Sequence, residues 1–241
     1  IPDAPINGWR RKIKTCKFDC WDCNLCDTVA EKKIPNTEEK LIKLVNELVD
    51  SVSYNNNINI PGLTSKRVQN LLFGIGSISK KYLEVGSALG STVMAVAGSG
   101  IECNCIDLWE EQIQDEKSLL NLPKNEFETF KKNISHFTNV NYQKIDFLQA
   151  DKSLLNGTDF LFYDGPHDQN STEQAIKYYW DILEGTSILV FDDANWLGVT
   201  AGVNDALADL NAEVIYSKHI LNDVEDPDMW WNGLYIVVVK K

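Results

Sequence analysis

From Tyr82 onward, short apolar runs alternate with segments whose apolar residues recur every three or four positions. Runs of the first kind read as strands and segments of the second kind as amphipathic helices. Strands are predicted at Tyr82–Val85, Ile101–Ile106, Val140–Ile145, Phe160–Tyr163, Ser187–Phe191, Glu213–Ser217 and Leu234–Val239. Helices are predicted at Ser91–Ala97, Glu110–Leu120, Asn125–Phe137 and Thr172–Leu183, the last closed by Gly185. In the third of these, Phe127, Phe130, Ile134 and Phe137 fall at helical spacing. Upstream, Asn36, Thr37, Glu38 and Glu39 look like a capping box. The helix it opens carries Leu41, Leu44, Val45, Leu48 and Val49 on one face. A polar loop, Asn55–Pro61, then leads to a further helix at Ser65–Leu72. Strands alternating with helices imply an α/β protein with a doubly wound, mostly parallel, seven-stranded sheet covered on both faces.

The most informative unit is Lys81–Trp109: strand, glycine turn (Gly86, Gly90), helix, second strand, then Asp107. Such a Rossmann-like βαβ unit lets the backbone approach a ligand at the glycines and offers an acid to ribose hydroxyls about 20 residues on. The spacing is not the G-x-G-x-x-G of a dinucleotide site. An acid, Glu84, stands two residues before Gly86, which suits a cationic ligand and repels a diphosphate. A plain βα connection without a ligand is the alternative, and Asp107 weighs against it. Acids end other strands too: Asp146, Asp164, Asp192 and Asp193. Ligands of open α/β sheets bind at these carboxyl ends, and clustered carboxylates repel one another unless a cation or polar ligand intervenes. Asp146 also reads as a helix N-cap.

The glycine turn resembles motif I of the class I S-adenosylmethionine-dependent methyltransferases. That resemblance implies a donor site at Glu84, Gly86, Ser87, Gly90, Ser91, Asp107, Leu108, Asp146, Phe147 and Asp164. The segment FLFYDGPHDQNSTEQAIKYYWDILEGTSILVFDDANW resembles the D-G-x-H…D-D pattern of metal-dependent small-molecule O-methyltransferases. The macrocin and mycinamicin sugar enzymes are the nearer type, and catechol O-methyltransferase a more distant one. The resemblance implies a divalent cation, Mg²⁺ or similar, on Asp164, Asp192 and Asp193. Such an ion lowers the pKa of an acceptor hydroxyl, and a base takes its proton. His167 is the candidate base, Asp164 a second; His167 can equally cap the Gly165–Pro166 turn.

Composition narrows the partners. With 35 acidic against 23 basic residues the net charge is −12, which disfavours nucleic acid. No apolar run approaches the roughly 20 residues needed to span a bilayer, and no signal peptide is visible. A cytoplasmic protein acting on a small hydroxylated molecule is expected. The chain starts at Ile1, as a piece of a longer polypeptide would, and a homo-oligomer is left open.

Residues 1–35 form a separate segment before the methyltransferase-like domain, 36–241. Cys16, Cys20, Cys23 and Cys26 lie among basic residues, dense enough for a metal site of Zn²⁺ or a [4Fe-4S] cluster. Cys103 and Cys105 alternate along a strand and read as core. Trp230 and Trp231 read as a ligand wall or as a plug over the core. The leading function is methylation of a hydroxyl on a small molecule, a sugar or glycoconjugate foremost. The alternatives are a metal-binding regulatory module on a degenerate fold, and a methyltransferase for protein or nucleic acid. For the last, no D/N-P-P-Y/F motif follows the fourth strand, where Asp164, Gly165, Pro166 and His167 stand instead.

Overall fold

The computed structural model describes residues 37–51, 64–109, 123, 125–222, 229–230 and 232–241. The four-cysteine segment, the expected helix at 110–120 and Trp231 lie outside the described residues. Within them the chain runs α1 (Glu38–Asp50), α2 (Lys66–Ile78), β1 (Lys81–Val85), α3 (Ser91–Gly98), β2 (Glu102–Asp107), α4 (Glu126–Ile134), β3 (Val140–Lys144), β4 (Thr158–Tyr163), α5 (Gln169–Tyr179), β5 (Leu183–Asp192), α6 (Leu197–Asp209), β6 (Glu213–Ile220) and β7 (Leu234–Lys240). One seven-stranded sheet has the order β3-β2-β1-β4-β5-β7-β6. All its neighbours pair in parallel except β7, which runs antiparallel between β5 and β6.

Side chains alternate faces along each strand, so one sheet supplies two cores. Tyr82, Cys103, Phe160, Phe162, Ile188, Val190, Ile236 and Val238 point to the face covered by α1, α2 and α3. Leu83, Val85, Leu161, Tyr163, Leu189, Phe191, Val237 and Val239 point to the opposite face, under α5 and α6. Both faces of β4 are fully covered, which is why Phe160–Tyr163 reads as an unbroken apolar run. The chain order reverses direction between β1 and β4, and a crevice opens at such a switch point, beyond the strands' carboxyl ends.

The expected strands are all present. Three local readings are corrected. Helix α1 starts after Thr37, whose side chain makes no capping hydrogen bond. Helix α5 starts earlier than expected, because Asp168 accepts from the Ser171 N–H as its N-cap. Nor does Gly185 close that helix. A 3₁₀ turn ends it at Ile182, and Gly185 (φ 62°) lies inside β5, where its carbonyl accepts from Lys241 N–H at 3.0 Å.

Helix α6 was not expected from the sequence. Two of its residues, Gly198 and Gly202, lie one turn apart against the chain at the start of α5. A Cβ at Gly198 would come within 2.8 Å of the His167 carbonyl oxygen, and one at Gly202 within 2.4 Å of that of Gln169. The missing side chains let α6 press onto the β4–α5 turn. This draws the loop after β5 toward His167.

Candidate active site

The turn after β1 is preformed. Gly86 has φ 88° and donates its N–H to Ile106 O at 2.9 Å. A Cβ there would lie 1.9 Å from the Asp164 carbonyl oxygen. The glycine is therefore required by the approach of the β4 turn, whether or not a ligand is bound. Gly90 (φ 84°) is the N-cap of α3, and its N–H donates to Ser87 O at 2.7 Å. Ser87 and Ser91 are both buried.

The Glu84 side chain is fully buried; Oε2 accepts from Tyr82 Oη at 2.5 Å and Oε1 from Thr92 Oγ1 at 2.8 Å. Burial pushes its carboxyl up to about 8. In this conformation it braces β1 against α3 through Tyr82 and Thr92. Asp107, at the end of β2, has both oxygens engaged. Oδ2 accepts from Ala88 N–H at 2.8 Å and Oδ1 from Trp109 N–H at 2.7 Å. Leu108 beside it is exposed. Asp146 caps the 3₁₀ turn Phe147–Gln149 by accepting from Leu148 N–H at 2.8 Å, so the N-cap reading is realised. The ring of Phe147 lies edge-on to Tyr163, with centroids 6.3 Å apart.

The second half of the site is built by the turns after β4 and β5. Asp164 donates its N–H to Val85 O at 2.8 Å, tying the β4 end to the glycine turn. Tyr163 Oη donates to Pro166 O at 2.9 Å and fixes the path to His167. His167 Nε2 lies 2.7 Å from Asp193 Oδ2, while Asn232 donates to the other oxygen, Oδ1, at 2.7 Å. Asp193 takes a left-handed φ of 55°, a conformation Asp tolerates and one found at functional turns. Loss of solvent around Asp164, then the Asp193 charge, raise its carboxyl to about 7. The hydrogen bond to Asp193 raises His167.

Donor atoms of Asp164, His167 and Asp193 all lie within 4.8 Å of one another. Asp192, expected as a ligand, is not in that group. It is buried, and its Oδ1 accepts from Asp193 N–H at 3.0 Å. Burial, then Asp164 and Asp193, raise its carboxyl well above the ordinary range. His167 thus takes the place in the cluster that the sequence reading gave to Asp192.

Trp230 is 7% exposed in the α1–α2 core, with the Arg67 guanidinium 4.7 Å from its ring centroid. Of the two readings of that tryptophan, the plug holds. Cys103 and Cys105 are buried, as expected. Among the described residues no helix is long and apolar enough to cross a membrane. Sequence reasoning missed Trp109, Asn133, Trp196 and Asn232. Trp109 alone carried a signal, as a large aromatic two residues past the β2 acid.

The family model described as a methyltransferase domain matches residues 83–194, which include the glycine turn and the acidic pair. No curated protein matches the chain in sequence. Solved structures share its fold at low identity. An O-methyltransferase from Bacillus cereus, in complex with S-adenosylhomocysteine, superposes with a TM-score of 0.52 at 13% identity, covering 90% of this chain and 95% of that one. The methyltransferase PaMTH1 from Podospora anserina, also bound to S-adenosylhomocysteine, gives 0.53 at 12% identity over 88% and 100%. The N-methyltransferase NodS from Bradyrhizobium japonicum WM9, with the same ligand, gives 0.51 at 14% over 83% and 97%. Residues 83–194 therefore match a methyltransferase domain, and the chain shares the fold of solved methyltransferases that bind S-adenosylhomocysteine.

Proposed function

We propose that the chain transfers the methyl group of S-adenosylmethionine to a hydroxyl of a small molecule, with a sugar or glycoconjugate as acceptor class and a divalent cation at the acceptor site. The observation that carries this reading is the Asp164–His167–Asp193 cluster beside the glycine turn. Two carboxylates and one imidazole suit a divalent ion, with a wider choice of metal than the all-carboxylate set expected from sequence: Mn²⁺, Fe²⁺ or Zn²⁺ besides Mg²⁺. When bound, such an ion lowers the pKa of the acceptor hydroxyl and orients it.

The chain's own groups account for the rest. Asp164 and Asp193 bring negative charge to the carboxyl ends of β4 and β5. Where no ion is bound, Nε2–H of His167 is donated to Asp193, its Nδ1 lone pair takes the acceptor's proton and Asp193 stabilises the imidazolium that forms; with His167 on an ion, the proton falls to a carboxylate oxygen of Asp164. The acceptor oxygen bonds to the methyl carbon as the carbon–sulfur bond breaks, and S-adenosylhomocysteine leaves. Trp196, 55% exposed with its ring edge-on to His167 at 5.1 Å, supports an acceptor that carries a ring face.

A second reading, in which no metal takes part, is favoured by one observation: the His167–Asp193 contact is complete as it stands. One experiment separates the two. Labelled methyl transfer from S-adenosylmethionine to a panel of sugars and other hydroxylated acceptors is measured with EDTA and after adding back Mg²⁺ or Mn²⁺. The metal reading expects activity to vanish and return; full activity in EDTA favours the dyad alone. Transfer to amines but to no hydroxyl would contradict both.

A further inference from the structure

Behind the glycine turn, side chains from the next elements hold its backbone. Trp109 Nε1–H donates to Ala88 O at 2.7 Å, and Asn133 Nδ2–H, from α4, donates to Leu89 O at 2.9 Å. On the other side of Ala88, its N–H is held by Asp107, which also holds Trp109 N–H. Ala88 (φ 40°) and Trp109 (φ 43°) are both left-handed, a conformation that costs a non-glycine residue energy and persists only where its surroundings impose it. The indole is 4% exposed and packed on Phe130 and Phe127, with ring centroids 4.5 and 5.0 Å away.

We propose that Trp109 and Asn133 are positioning residues that clamp the donor turn in its ligand-ready shape before the donor arrives. The proposal rests on the assignment of that turn to S-adenosylmethionine. Its physical content is preorganisation. A turn held by these donors spends most of its time in one conformation, whereas a released turn samples others, and apparent affinity falls by the competent fraction. The clamp also fixes Asp107. Both its oxygens accept backbone N–H groups, so any ribose hydroxyl would use the remaining lone pairs, at a position set by the turn.

The test uses Trp109→Phe, which keeps a ring against Phe127 and Phe130 but removes the indole N–H. In the ligand-free protein, hydrogen exchange at the Ala88–Gly90 amides should rise about tenfold, the effect of losing one hydrogen bond. The dissociation constant of S-adenosylhomocysteine should rise about tenfold as well. With saturating donor, kcat should stay within about twofold, because neither residue belongs to the Asp164–His167–Asp193 cluster. Should Trp109→Phe fail to fold, Asn133→Leu removes a donor from the same turn without touching the aromatic stack, and the same two increases are expected. A folded variant with unchanged exchange and unchanged affinity would overturn the clamp. Wild-type protein that binds no S-adenosylhomocysteine would defeat the donor assignment, and the exchange measurement would still decide whether the clamp exists.

Discussion

Replacing Glu84 by glutamine should make the protein more stable at neutral pH and remove a pH dependence. Glu84 is fully buried, and burial raises its carboxyl from the ordinary 4.5 to about 8. For a group whose folded-state pKa lies above its unfolded value, stability is complete below the unfolded pKa and is lost as pH rises through the folded one. Each unit of separation is worth about 1.4 kcal/mol, so roughly 3 kcal/mol should be lost between pH 5 and pH 8. Glutamine copies the protonated acid, since its amide can donate where the acid O–H would, and the hydroxyls of Tyr82 and Thr92 can each donate or accept. Urea unfolding of wild type and Glu84→Gln, run in parallel from pH 5 to pH 9, isolates this group from the other titrations. The two stabilities should be close at pH 5 and diverge by roughly 3 kcal/mol in favour of the variant by pH 8. On thermal melts that is a gain of roughly 6–12 °C for a domain of this size. Curves that stay parallel throughout would mean that the hydroxyls hold Glu84 ionised at its ordinary pKa, and the reasoning would be refuted.

Other consequences follow from the packing at the two turns. Gly86→Ala places a Cβ against the Asp164 carbonyl and imposes a left-handed conformation on alanine, so the loss of stability should exceed about 3 kcal/mol; an unchanged thermal midpoint would contradict it. Asp193→Asn should lower the His167 pKa toward 6.5, because the raised value depends first on the Asp193 hydrogen bond. Titration of the His167 ring protons by NMR would show the shift, and an unmoved titration would sever the pair.

The central strands were legible because their residues are buried on both faces, as at Phe160, Leu161, Phe162 and Tyr163. Helix α6 was not. Its apolar positions are mostly Ala, Val and Gly, and Gly198 and Gly202 read as breakers when their purpose is close packing on α5. Gly185 misled in the opposite sense. A glycine after an apolar helix suggests a cap, but β7 extends far enough to pair Lys240 with Thr186, which keeps that stretch in the sheet.

At the site, the sequence showed which turns matter but not which side chains meet. Asp192 and Asp193 are neighbours at a strand end. The left-handed turn at Asp193 aims its carboxylate at His167, while Asp192 stays buried beneath. Motif spacing carries no trace of that backbone turn. Glu84 was read as a group facing its ligand. Its partners, Tyr82 two residues back on the same face of β1 and Thr92 on α3, meet it only once the helix packs on the strand.

The most direct measurement is a crystal structure of the protein soaked with S-adenosylhomocysteine and Mn²⁺, the metal located by its anomalous signal. The account predicts the ligand in the crevice between the Gly86–Gly90 turn and the end of β4, with Mn²⁺ contacting Asp164 and Asp193. Ligand density elsewhere, or an ordered ligand with no anomalous peak at that cluster, would contradict it.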